Sequence, residues 1–204
     1  MQQLWFDEAV KAEVAELKAK FESCPQALLH GDLQIGSIFV GAEQTKVIDG
    51  EYAFYGPIGF DVGSLIGNLL LNYLGHFGLT TDTTARETQQ QYLLAQIEAL
   101  WQQFSHQFSA LMNSECREPA LQNSLYQQRF MQQVWADSLG YAGCELIRRT
   151  VGLAHVADLD TIGDSAVRGQ CEAKALKLGR ELILQRHSLA SMAQMLTLLR
   201  YQQG

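Results

Sequence analysis

Between His30 and Asp61 the sequence gathers side chains that could do chemistry together. Asp32 sits in a tight His30-Gly31-Asp32 turn, Ser37 follows, and Asp49-Gly50-Glu51 comes directly after an apolar run. Two short apolar segments, Ile38-Phe39-Val40 and Lys46-Val47-Ile48, flank Gly41-Ala42-Glu43-Gln44-Thr45 and read as a β-hairpin. A hairpin reverses the chain, so the carboxylate before it and the two after it are expected at the same end. Three acids converging on one pocket repel one another unless a divalent cation or a cationic substrate shares the site. Oxygen-only ligands suit magnesium, which keeps several waters and borrows phosphate oxygens from a nucleotide. Phosphoryl transfer needs such a layout: one carboxylate to accept the proton of an attacking hydroxyl, and others to hold the metal on the phosphates.

The elements that must position these residues are mostly helical. Phe6, Val10, Val14, Leu17 and Phe21 recur at steps of three and four, which predicts a helix running to about Ser23 and stopped by Pro25. After the hairpin, Tyr55-Gly56-Pro57-Ile58-Gly59-Phe60-Asp61 reads as an irregular loop, followed by an apolar helix from about Val62 to Leu74. Long periodic segments are expected over Thr83 to about Met112 and Glu118 to about Thr150, and two closing helices over Ser165 to His187 and Ser188 to Tyr201. The expected fold class is therefore mainly α with one small β-hairpin (α+β), with neither internal repeats nor a linker.

Composition narrows the partners. The 204 residues suffice for a buried core, and 47% of them are hydrophobic, which excludes a disordered chain. With 15 Lys+Arg against 22 Asp+Glu, the net charge of −7 repels phosphate backbones and anionic lipid, so neither nucleic acid nor membrane is an expected partner. No apolar run is long enough to span a bilayer, and Met1-Gln2-Gln3-Leu4-Trp5 shows no export pattern. Cys24, Cys116, Cys144 and Cys171 have no metal-ligand spacing, which predicts reduced thiols, no structural zinc and a cytoplasmic location.

The string from Leu29 to Ile38, containing His30-Gly31-Asp32-Leu33 with Ser37 where kinases often carry Asn, resembles the catalytic loop of the aminoglycoside-phosphotransferase-like kinases. Asp49-x-Glu51, within Val47 to Asp61, resembles the acidic motif of one branch of that family, the kinases of methylthioribose. The segment Glu145-Leu146-Ile147-Arg148-Arg149-Thr150, continuing to Asp160, is similar to the same branch. The resemblance spans most of the chain. It implies the C-terminal, catalytic lobe of a protein-kinase-like fold over residues 1–204, ATP and Mg2+ as cofactors, and phosphorylation of the small-molecule substrate methylthioribose to its 1-phosphate, a step of methionine salvage. It implies Asp32 as the catalytic base, also touching substrate, Asp49 and Glu51 as magnesium ligands, and Arg148 and Arg149 at the sugar. His30, Gln34 and Ser37 would support the loop. A homodimer is a further implication.

The chain departs from the family pattern in three places. Gln34 stands where the family usually has His and cannot become cationic. Gly50 replaces a common Pro in the acidic motif. The residues before His30 read as a helix, and no glycine-rich loop or G-x-x-x-x-G-K-[ST] is present, so a nucleotide-covering N-terminal lobe is expected to be missing from this sequence. Two alternatives follow: a non-catalytic lobe that binds a sugar or a partner, and a kinase of another small hydroxylated substrate. The Arg148-Arg149 pair fits cationic substrates poorly. His30 is read as pinning its loop rather than moving a proton, and Asp61 as a helix cap or loop brace rather than a third site acid. Arg148-Arg149, taken without the resemblance, could simply complement a helix dipole. His155, Asp158 and Asp160 fit capping better than metal binding.

Overall fold

The computed structural model describes residues 4 and 6–201; residues 1–3 and Trp5 of the stretch lacking an export pattern lie outside them. Helix α1 (Glu8–Ser23) opens where the Asp7 carboxylate accepts from the Val10 N–H at 3.2 Å, and it ends one residue before Pro25. Strand β1 (Ala27–Leu29) follows, then a 3-10 turn over Ile35–Ser37, β2 (Ile38–Val40), β3 (Thr45–Val47), a second 3-10 turn over Gly50–Tyr52, and β4 (Phe54–Gly56).

Two ladders nest in this region. The expected hairpin is the inner one, antiparallel with Ile38 opposite Val47 and Val40 opposite Thr45. The outer ladder pairs β1 with β4, Ala27 opposite Gly56 and Leu29 opposite Phe54. The sequence reading had only the first. Three-residue strands separated by long insertions carry no periodicity of their own, and this pairing is made across the intervening residues 30–53. The nesting matters because the segments joining the ladders, 30–37 and 48–53, must run side by side. A 3.0 Å bond from the Ile48 N–H to the Ser37 carbonyl ties them together.

The helical body follows: α2 (Gly59–Leu79), α3 (Thr83–Glu115), α4 (Ser124–Val151), a single turn α5 (Ala157–Asp160), α6 (Ser165–Gln185) and α7 (Met192–Tyr201). Asp82, Asn123 and Asp164 cap α3, α4 and α6 through their side chains. Helix α2 is longer than its apolar stretch suggested, since Gly59-Phe60-Asp61 forms its first turn. It is buried along most of its length, and Ile66, Leu70 and Leu71 meet Leu139 and Leu146 of α4 and Leu178 and Leu182 of α6 in one core.

Helices α2 and α4 approach unusually closely. A Cβ added at Gly63 would collide with the Ser138 carbonyl, and one at Gly67 would lie 2.8 Å from the Glu145 Cβ. Only glycine permits this spacing, and it brings the C-terminal half of α4 down onto the turn after β1. Arg186, 1% exposed, locks α1 against this pair: its guanidinium reaches Glu13 and Glu16 at 2.6 Å and Asp137 at 3.2 Å. Among the described residues no helix is long and apolar enough to cross a membrane.

Candidate active site

The turn after β1 is built around Gly31, whose φ of +86° is open to glycine and whose Cβ position is taken by the Tyr52 carbonyl. Asp61, in the first turn of α2, accepts from the His30 N–H at 2.6 Å and the Gly31 N–H at 3.1 Å. It is thus a loop brace, and it does not cap the helix, whose N-cap is Ile58. His30 contacts the Ile48 carbonyl through Nε2 at 2.6 Å, while its Nδ1 faces the Asp32 N–H at 3.3 Å. That pair of contacts is satisfied by a neutral ring with its proton on Nε2, bonded to backbone on both sides. Ser37, buried, donates to the Asp32 carbonyl at 3.2 Å.

With the backbone so fixed, the Asp32 carboxylate borders a cavity of about 290 Å3 between the turn, α2 and α4. Ser64, Glu145 and Arg148 are the other side chains of its polar wall, and Phe60, Tyr141 and Cys144 form the apolar one. Burial pushes the Cys144 thiol up to about 11, with the Glu145 charge adding to it, so this wall presents a neutral sulfur. Burial likewise raises the Tyr141 phenol, whose hydroxyl donates to the Leu17 carbonyl at 2.8 Å.

Glu145 organises the arginine pair. It is 5% exposed, and it accepts from Arg148 Nε at 2.9 Å, Arg149 Nε at 2.7 Å and Asn68 Nδ2 at 3.0 Å. Arg149 is buried and extends behind the cavity, its Nη2 3.7 Å from an Asp32 oxygen, whereas Arg148 is half exposed on the cavity wall. Asp32 and Glu145 against Arg148 and Arg149 make a balanced set of four charges, so this end needs no further ion.

The other two acids differ. Asp49 and Glu51 are exposed, and among the described residues their carboxylates have no hydrogen bond or ion pair. They do not gather with Asp32 into one tight cluster. Among the described residues, the one set of three His, Cys, Asp or Glu ligand atoms within 4.8 Å of one another is Glu13, Glu16 and His187, whose carboxylates already hold Arg186. Asp49 and Glu51 lie beside the Asp32 turn and do not line its cavity, and Asp49 takes a left-handed φ of 62° at the head of its 3-10 turn. Asp is among the non-glycine residues that adopt this region most readily. Two unpaired, hard oxygen donors fit magnesium, which takes only one or two protein carboxylates and completes its shell from phosphate and water.

Sequence reasoning gave no role to Glu145 or Asn68. The i,i+3 and i,i+4 spacing of Glu145 to Arg148 and Arg149 was the available signal for the first; the second has none, being an amide on a different helix.

The profile of the phosphotransferase enzyme family matches residues 2–104. Methylthioribose kinase of Pectobacterium atrosepticum is 53% identical over 184 residues, which cover 90% of this chain and 46% of that protein. Methylthioribose kinase of Yersinia enterocolitica is 53% identical over 178 residues, 87% of this chain and 44% of its own. That of Yersinia pestis is 51% identical over the same length. The chain spans about half the length of the curated relatives it matches.

Proposed function

The chain belongs to the phosphotransferase enzyme family, and from that we propose that it is the catalytic, sugar-binding lobe of an ATP-dependent kinase of methylthioribose, acting in the cytoplasm. ATP with Mg2+ supplies the phosphoryl group and the positive charge that Asp49 and Glu51 lack. Asp32 orients the 1-hydroxyl of the sugar and receives its proton as the oxygen attacks. Arg148 faces the sugar and the negative charge that develops on the transferred group, with Arg149 behind it. The apolar wall of Phe60, Tyr141 and Cys144 excludes water from the reacting hydroxyl.

The observation that carries the proposal is the contrast between two ends of one site: two carboxylates and two arginines balanced around a small cavity, and two exposed carboxylates beside it with no partner among the described residues. The nucleotide-covering lobe is proposed to come from elsewhere. Leu28 and Tyr55, opposite each other in the outer ladder, and Phe39, Val40 and Tyr52 are exposed apolar side chains of this region, of the kind another lobe would cover.

ATP consumption with methylthioribose and magnesium tests this, using the chain alone and the chain mixed with the N-terminal half of a related kinase. Turnover on mixing is expected. Failure of methylthioribose to bind the chain, read by calorimetry, contradicts the proposal.

A further inference from the structure

We propose that Gln34 is a positioning residue that ties the Asp32 carboxylate to the buried guanidinium of Arg149. The arginine pair is thereby divided into one member that meets the sugar, Arg148, and one that acts through Asp32. This rests on the reading of Asp32 as the sugar-facing base.

Arg149 Nη2 stands 3.7 Å from the nearer Asp32 oxygen, beyond hydrogen-bond reach. The Gln34 amide closes the gap. Its Nε2 donates to Asp32 Oδ2 at 3.1 Å, and its Oε1 accepts from Arg149 Nη2 at 3.2 Å. The amide has one workable orientation: reversed, it would set its carbonyl against a carboxylate and its NH2 against a guanidinium. Arg149 is held from behind by Glu145 at 2.7 Å, and Glu145 by Asn68 at 3.0 Å. Asp32 is therefore the outer end of a chain running through Gln34 and Arg149 to α4 and α2.

Two features make this a positioning device rather than plain packing. First, it holds a carboxylate that borders the cavity by one oxygen, leaving the other, Oδ1, outside the Gln34 bond. Secondly, a neutral amide offers a donor and an acceptor at every working pH. A neutral imidazole can match both, but a protonated one has two donors and must lose the bond from Arg149.

The test uses the full 204-residue chain and two readouts. The first is hydrogen exchange of the Gln34 side-chain amide, followed by 15N-edited NMR, which needs no sugar. The second is methylthioribose affinity by calorimetry for the unsubstituted chain, Gln34→Leu and Gln34→His, with melting temperatures recorded alongside. A bridging amide exchanges several-fold more slowly than an exposed glutamine. Gln34→Leu is expected to bind the sugar about tenfold more weakly at an unchanged melting temperature, and Gln34→His at pH 8 to recover most of that loss. An amide that exchanges freely, or Gln34→Leu binding as well as the unsubstituted chain, overturns the inference while the sugar-kinase reading stands. No sugar binding by the unsubstituted chain refutes that reading, and the positioning role falls with it.

Discussion

In the proposed function the Asp32 carboxylate takes a proton from a sugar hydroxyl, which requires it to be held at one angle, and most of the polar residues around Asp32 hold its turn or its side chain. His30, Gly31, Ser37 and Asp61 fix its backbone, and Gln34 reaches its side chain. Glu145 plays the equivalent part for the arginines. Replacing it by Gln leaves buried Arg149 with only the more distant Asp32 as counter-charge, so the cost is expected below the roughly 3–5 kcal/mol of a fully unpaired buried charge; chemical denaturation of Glu145→Gln checks this. The same variant frees Arg148 from its 2.9 Å bond, so sugar affinity is expected to fall as well. At this scale the sequence was legible only in part. Asp32, Asp49, Glu51, Arg148 and Arg149 stood out by type and motif, yet motif alone could not tell the balanced acid from the two unpaired ones. That distinction depends on Arg149 meeting Gln34 and Asp32 across more than a hundred residues of chain.

Helices were the easiest elements to read because each carries its own 3.6-residue period and many carry a capping side chain. The outer ladder escaped for the opposite reason, since β1 and β4 are short and alternate exposed Leu28 and Tyr55 with inward neighbours too few to form a pattern. The close crossing of α2 and α4 was present as Gly59, Gly63 and Gly67 at four-residue steps, and it places Glu145 and Arg149 over the Asp32 turn. Gly63→Ala forces the Ser138 backbone away and is expected to cost about 1–3 kcal/mol by overpacking. Its effect on sugar binding should exceed that of an equally destabilising change in α7, which calorimetry on both variants would show. Helix α1 adds a pH-sensitive element. The Val10 N–H bond, and after it Arg180, lowers the Asp7 carboxyl below its ordinary 3.8. Stabilisation from this group is therefore full above that value and lost as pH falls through the lowered one. Asp7→Asn keeps a cap and removes the acid-sensitive part, so its melting temperature should drop less than that of the unsubstituted chain between pH 5 and about pH 2.

As a whole the molecule is a helical body with one polar corner, where nested ladders carry the acids and α4 brings the arginines. Its apolar interior is continuous across α2, α4 and α6, while Leu28, Phe39, Val40, Tyr52 and Tyr55 around the small ladders are exposed. In the proposed function, a nucleotide-binding lobe would close over these exposed apolar side chains and the two unpaired carboxylates. The central claim is that phosphoryl transfer on this scaffold depends on the Asp32 carboxylate. The most direct measurement is ATP-dependent phosphorylation of methylthioribose by the chain supplied with an N-terminal kinase lobe, comparing Asp32→Ala with the unsubstituted chain at equal folded fraction. The account predicts that turnover falls at least about a hundredfold while the sugar is still bound; turnover by Asp32→Ala at the unsubstituted rate would contradict it.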